Sequence, residues 1–490
     1  MIMKKQFFYA TLAIALMSSC SKDNDPGTTT DPTDPTVPEV IDDTTPAAIQ
    51  LGIGNPTIIA TRGTGSVGDI TGSNGNVWNG QELSIYMFPK GTVAEYADSP
   101  LAGLTFNAPA NAATGAITNS THAVKYYPMQ GAFDFYGYHM DTKNNETPST
   151  PTEDWTTANT LKVNATIDGT NDVMAAKADL TIADKVVLIN KKLGTDTYKA
   201  SDDGTKVVAV ANGTTEIAGE DLVTLNAEIA KAFSSYAARR TIQPNLIFKH
   251  LLSRLKFNVI AGEEQAAIDQ YGAGKKFPAV PGHKFDSNNA NEAEMTDGAV
   301  YIKKIALTDP KSNVSIVFTP NNFTLEAAAA TQGTSFVLKQ RAAANTPAAE
   351  LEALSPVAPA KFIANASRTD ENKTDWQTPV GESMMVVPGE TTLKLEIEVA
   401  QYKITTEAHD GQEAQYAWMQ EPKPLTATVK APTNTIDGAT INTFEAGKSY
   451  NVNITVFGYQ KIEVTATLEG WINGGDIDVN PEDEAFTPVI

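Results

Sequence analysis

The chain has 490 residues, and its 58 acidic side chains outnumber 37 basic ones, giving a net charge of −21 at neutral pH. That balance argues against a nucleic-acid partner and against attachment to anionic membrane through a basic patch. A single cysteine, Cys20, rules out a disulfide within the chain, so the fold must be held by core packing.

The first nineteen residues carry the parts of a secretory signal. Lys4 and Lys5 give a positive start, Phe7 to Met17 form the apolar stretch, and Ser18 and Ser19 are the small residues a signal peptidase needs. Cys20 follows directly, as in a bacterial lipobox, where the thiol is acylated and becomes the lipidated N-terminus. An ordinary export signal beside an incidental cysteine is the alternative. The apolar stretch is short of the ~20 residues that cross a bilayer. Removing residues 1–19 takes away Lys4 and Lys5 and no acid, which leaves 471 residues at a net charge of −23. Residues 20–47 then read as a lipidated, disordered tether: Asp31-Pro32-Thr33-Asp34-Pro35-Thr36 and its neighbours have almost nothing to bury.

From there the pattern becomes one of strands. Ile49, Leu51 and Ile53 alternate with Gln50, Gly52 and Gly54, and Leu83, Ile85 and Met87 alternate with Ser84 and Tyr86. The segment Phe133-Asp134-Phe135-Tyr136-Gly137-Tyr138 is aromatic-rich. Residues 141–244 read as a polar, loop-like insert containing one helix at about 220–234, where Leu222, Leu225, Ile229 and Phe233 recur at helical spacing. A second irregular stretch, 262–298, separates an expected N-terminal domain (48–275) from a C-terminal one (276–490). Beyond it the alternation is clearest: Leu393, Leu395, Ile397, Val399; then Val452, Ile454, Val456; then Ile462, Val464, Ala466, Leu468. Many such strands, with Gly, Asn and Pro between them, indicate a mainly β chain built of β-sandwiches.

The sequence offers little chemistry. No two of His122, His139, His250, His283 and His409 are spaced as metal ligands, and each reads as an ordinary surface or core histidine. Neither a nucleophile elbow nor a Walker loop is present. Gly63-Thr64-Gly65-Ser66-Val67-Gly68 fits the dinucleotide pattern Gly-x-Gly-x-x-Gly, but Asp69 to Asn76 cannot begin the helix such a site requires. Asp286 to Gly298 is acidic but lacks the order of an EF-hand loop. No enzyme, cofactor or metal site is expected.

Several segments, in order, resemble the fimbrillin family, the lipoprotein pilins of type V pili and their relatives. They are the lipobox and tether; Ile49 to Arg62; Trp78-Asn79-Gly80-Gln81-Glu82; Tyr126-Tyr127-Pro128 with the aromatic strand after it; and Asp172-Val173-Met174-Ala175-Ala176. Phe248-Lys249-His250-Leu251-Leu252, Met385-Val386-Val387-Pro388 and Phe444-Glu445-Ala446-Gly447-Lys448-Ser449-Tyr450 complete the set. The resemblance implies two tandem transthyretin-like β-sandwiches with long loop inserts and at most short helices. It also implies a mode of assembly. An arginine-specific protease cuts after an Arg that follows the first strand, and a strand from another pilin subunit fills the groove left behind. On this sequence the candidate cut falls between Arg62 and Gly63, a plain surface arginine being the other reading, and the excised strand would carry Ile49, Leu51, Ile53, Ile58 and Ile59. Arg239-Arg240 is the alternative cut site. The candidate donor strand is the tail after Gly474-Gly475, with Ile477, Val479, Phe486 and Val489; an ordinary last strand with a frayed end is the other reading. The implied partners are other pilin subunits, the protease and, through the lipid, the outer membrane at the cell surface. A tip or surface adhesin binding a host glycan or protein is the alternative role, favoured by the long inserts.

Overall fold

The computed structural model describes residues 46–53, 78–112, 114–140, 151–261, 297–341, 351–357, 367–369, 372–406, 415–436, 439–458 and 461–469. All of them fall within one compact unit, residues 42–490. The protein is mainly β, as the alternation predicts.

A six-stranded sheet divides two cores. Its order is Lys249–His250, Val173–Lys177, Phe133–Met140, Glu82–Pro89, Phe106–Asn107, Thr118–Asn119. Because strand side chains alternate between faces, the three strands Glu82–Pro89, Phe133–Met140 and Val173–Lys177 feed both cores. Phe133 and Phe135 enter one cluster with Leu83, Ile85, Met87, Met174 and Ala176. Tyr136 and Met140 enter the other with Phe88, Val173 and Ala175. Burial on both sides explains why Phe133–Met140 lacks a polar face. Gly137 permits this packing: a Cβ at that position would lie 2.8 Å from the Ile85 side chain and 3.1 Å from Phe248, which would have to shift.

The larger core continues between two four-stranded sheets. One runs Gln377–Val386, Ser253–Ala261, Ser449–Gly458, Lys461–Glu469; the other runs Ser335–Val337, Asp297–Thr308, Thr392–Thr406, Gln415–Lys430. Ser253–Ala261 is central, parallel to Ser449–Gly458 (Leu255 opposite Tyr450, Phe257 opposite Val452) and antiparallel to Gln377–Val386. Leu393, Leu395, Ile397 and Val399, with Val452, Ile454 and Val456, are buried as their alternation predicts. The outer strand Gln415–Lys430 carries Pro422, Lys423 and Pro424, and Lys423 lies opposite Val399 and Pro424 opposite Glu398. A further sheet joins early and late sequence: Leu161–Thr166 pairs antiparallel with Asn313–Phe318 over six residue pairs. The expected domain boundary at 275/276 lies outside the described residues.

The 141–244 segment differs from the expected loop-like insert. Leu161–Thr166 and Val173–Lys177 are core strands, with Leu161, Val163 and Val173 fully buried. A small module follows. Helix α1 (Ile182–Leu193) packs on the hairpin Tyr198–Ala200/Val207–Ala209 and on helix α2 (Gly219–Ile229) around Ile189, Tyr198, Val207 and Leu225. Helix α1 has a reciprocal cap, in which the Thr181 hydroxyl accepts from the Asp184 N–H and the Thr181 N–H donates to the Asp184 carboxylate. The helix expected over 220–234 is α2, which ends at Ile229. Phe233 has φ 54°, which breaks the helical path. Its ring is nevertheless buried edge-on against Phe135, with centroids 6.0 Å apart. The spacing thus marked the burial of Leu225 and Phe233 and the helix as far as Ile229, but Leu222 is exposed and Phe233 lies outside the helix. A third, one-turn helix, α3 (Ser235–Ala238), follows.

Candidate functional site

The first strand is a central strand held on both edges. Gly52–Ile53 pairs parallel with Asn245–Leu246 and antiparallel with Gly115–Ala116. Backbone bonds extend the pairing beyond that short ladder. On one side the Ile49 N–H donates to the Lys125 carbonyl at 2.8 Å, the Tyr127 N–H to Ala47 at 2.9 Å, and the Ile117 N–H to Leu51 at 2.8 Å. On the other the Gly52 N–H donates to the Pro244 carbonyl at 2.9 Å. Side chains alternate as the sequence predicts. Ala47, Leu51 and Ile53 are buried in the core that holds Trp78, Phe135 and Leu246, and Ile49 packs against its margin. Burying a Leu or Ile side chain is worth about 1.5–3 kcal/mol, so two of them fasten this short segment firmly.

Tyr127, from the Tyr-Tyr-Pro segment, lies under this strand, 3 % exposed, with its ring against Phe133 and Phe135. Burial pushes its hydroxyl pKa upward. Trp78 is fully buried, edge-on to Phe248 at 5.4 Å between centroids. Phe248 belongs to the stretch that runs on from the parallel partner of the first strand, in which Ile242, Pro244, Leu246, Phe248 and His250 are all buried.

The segments singled out separately in the sequence meet at the far end of that stretch. Met174 pairs with His250 in the sheet, and His250 Nδ1 lies 2.6 Å from Asp172 Oδ2, with both side chains buried. The expectation of an ordinary histidine did not include this partner. Asp172 Oδ1 also accepts from the Val173 N–H at 2.8 Å. Next, Gly447, at φ 66°, donates its N–H to the Leu252 carbonyl at 2.8 Å, and the Ser253 hydroxyl donates to the Glu445 carbonyl at 2.7 Å. Arg254 Nε and Nη2 both donate to the Ser449 hydroxyl at 3.0 Å. Phe444 sits edge-on to Tyr450 at 4.9 Å, and the Tyr450 hydroxyl accepts from the Glu445 N–H at 2.8 Å. The Met385 N–H bonds the Gly169 carbonyl at 2.8 Å, and Val386 pairs with Ser253. The motifs thus form one junction that anchors the segment lying against the first strand.

Of the expected site residues, the structure places Ile49, Leu51 and Ile53 together. Cys20, Ile58, Ile59, Arg62, Gly63, Ile477, Val479, Phe486 and Val489 lie outside the described residues, as does the Gly63–Gly68 pattern. Arg240, in the alternative cut site, is engaged: its guanidinium lies 3.5 Å from the centroid of the Tyr236 ring, and Nη1 donates to the Tyr236 carbonyl at 2.8 Å. Among the described residues no group of three His, Cys, Asp or Glu side chains is placed to hold a metal ion. No helix among them is long and apolar enough to cross a membrane.

No family model matches the chain, and no curated protein sequence does so. Similar solved structures come from surface proteins. A candidate cell adhesion protein from Bacteroides uniformis ATCC 8492 is 13 % identical, covering 87 % of this chain and 98 % of its own, at a TM-score of 0.34. The fimbrial anchor protein Mfa2 from Porphyromonas gingivalis is 8 % identical, with 87 % and 99 % coverage and a TM-score of 0.26. The tip fimbrial protein Mfa3 from Porphyromonas gingivalis is 9 % identical, with 86 % and 99 % coverage and a TM-score of 0.24. The likeness is loose, so the function proposed below rests on the chain's own residues and strand geometry.

Proposed function

We propose that this protein is a fimbrillin-like structural subunit of a surface fimbria, with no enzymatic role. It is exported as a lipoprotein acylated at Cys20, held at the outer membrane, and processed after Arg62 by an arginine-specific protease. Removal of the first strand opens a groove that a strand of another pilin subunit fills, and the candidate donor is the tail carrying Ile477, Val479, Phe486 and Val489. Residues 48–275 and 276–490 are the proposed domains.

The observation that carries this reading is the position of the first strand. It comes first in the described chain yet sits in the middle of its sheet, buried and bonded on both edges. Its loss would strip partners from the Tyr127 and Ile117 N–H groups and from the Lys125 and Pro244 carbonyls, and would uncover the pocket of Leu51 and Ile53. Backbone groups left so demand a replacement strand, which is the physics of β-augmentation. An adhesin role, with a host glycan or protein as ligand, is the second reading. The α1–α2 module favours it, since Val210, Leu222 and Val223 on that module are exposed.

N-terminal mass spectrometry of the protein recovered from cell surfaces tests the proposal. A mature start at Gly63 supports processing and strand exchange. An intact, acylated Cys20 on all the recovered protein overturns cleavage at Arg62.

A further inference from the structure

On its parallel side, the first strand is met by backbone only from residue 244 onward. Gly52 stands opposite Asn245 and Ile53 opposite Leu246. One step earlier the chain is leaving α3: Thr241 has φ 67°, and the Ile242 N–H bonds the Ala237 carbonyl at 3.1 Å. No residue of that strand therefore stands beside Ile49.

The Gln243 side chain occupies the gap. Its Oε1 accepts from the Gln50 N–H at 3.2 Å, and its Nε2 donates to the Ala48 carbonyl at 3.2 Å. A residue in a parallel ladder makes this same pair of bonds, to the carbonyl before and the N–H after the residue it faces. One side-chain amide thus continues the ladder by one rung, opposite Ile49. The backbone partners fix which end of the amide is oxygen, since an N–H can only donate and a carbonyl can only accept.

We propose that Gln243 is a main-chain clamp of the groove, gripping the first strand now and, by the same two bonds, whichever strand replaces it. The second half rests on the strand-exchange reading above. The clamp touches only N–H and C=O, so it tolerates almost any sequence in the incoming strand. It sets two conditions. The strand must run in the direction of Asn245–Leu246, so that a carbonyl and an N–H fall where those of Ala48 and Gln50 now lie. The residue at the place of Gln50 must not be proline, which has no N–H.

Two measurements test this. In the intact full-length precursor, hydrogen exchange at the Gln50 amide is compared among wild type, Gln243→Ala and Gln243→Glu. Loss of the clamp in Gln243→Ala should speed exchange at Gln50 by about fivefold or more relative to the Gly52 amide, as expected for one or two neutral bonds. Gln243→Glu keeps an acceptor for Gln50 and loses the donor to Ala48, so Gln50 should stay nearer wild type. Equal exchange at Gln50 in wild type and Gln243→Ala overturns the clamp. In protein cut by an arginine-specific protease, binding of a peptide of residues 47–55 is compared with that of the same peptide N-methylated at Gln50. Methylation should weaken binding to wild type about fivefold and change it much less in Gln243→Ala. An equal loss in both refutes the clamp for incoming strands. If neither peptide binds the cut protein, strand exchange fails as a reading, while exchange in the intact precursor still decides the role of Gln243.

Discussion

Replacing Ile53 by Ala tests how the first strand is held. Ile53 is 2 % exposed, its backbone neighbours are Leu246 on one side and Gly115 on the other, and its side chain belongs to the core with Trp78 and Phe135. Truncating a buried Ile to Ala costs about 2–5 kcal/mol. With both edges of the strand paired the cavity cannot collapse freely, which places Ile53→Ala toward the middle of that range, at about 3 kcal/mol. If detaching the strand is the opening event, that is a rise of about a hundredfold or more in its frequency. The readout is hydrogen exchange at the amides of Ile49 and Gly52, which donate to the Lys125 and Pro244 carbonyls. Gln50→Ala is the control, because that side chain points away from the core; it should move the same amides by less than about 0.5 kcal/mol. If Ile53→Ala and Gln50→Ala are indistinguishable, the strand is not anchored through its buried face and the case for a costly, replaceable strand collapses. The strand-exchange reading supplies a second check: if processing at Arg62 removes the substituted residue, filaments of the variant should match wild type in stability.

Three further outcomes are expected. His250→Ala takes away the buried ring nitrogen 2.6 Å from the Asp172 carboxyl group and should destabilise by about 1–3 kcal/mol in denaturant unfolding, whereas adding Asp172→Asn should recover part of the loss. Phe444→Ala removes the ring edge-on to Tyr450 and should cost about 3–5 kcal/mol, loosening the junction as seen by proteolysis. Alkaline pH should destabilise the protein. Burial pushes the Tyr450 hydroxyl up to about 12 and also raises the pKa values of Tyr86, Tyr127 and Tyr136. Between pH ~10, where an unfolded tyrosine ionises, and pH 12 the unfolded chain has lost protons the folded one keeps, so stability present below pH 10 falls as pH rises. Denaturant midpoints against pH, with phenolate absorbance alongside, check this; a flat profile to pH 12 would contradict it.

Period-two alternation located the inward faces of the first strand, of Leu83 to Met87 and of Leu393 to Val399, because one physical rule, burial of one face, decides them. It could not show that Phe133–Met140 divides two cores, since a strand buried on both faces loses its alternation. Phe233 misled for a related reason: helical spacing records where apolar side chains fall, and a left-handed residue can bury a ring at the same place without continuing the helix. The capping signal Thr181-Ile182-Ala183-Asp184 was present and marks α1, but it stands in a polar stretch that reads as loop. His250 and Asp172 were each in a noticed segment, yet their pairing joins residues 78 positions apart and depends on strand register. Gln243 had no signal at all. A side-chain amide standing in for backbone can be recognised only when both strands are in place.

The two prolines of the outer strand Gln415–Lys430 bear on the geometry of any polymer this protein forms. Pro422 and Pro424 have no N–H to offer, and Lys423 between them is exposed and charged. The exposed lysine on that strand is a cation that resists being covered by a neighbouring chain. The first strand, by contrast, is bonded along both margins, and a strand that replaced it would meet the same partners. On the strand-exchange reading proposed above, such subunits favour threads over lateral plaques: a strong link where the first strand sits, and a charged flank that turns neighbours away.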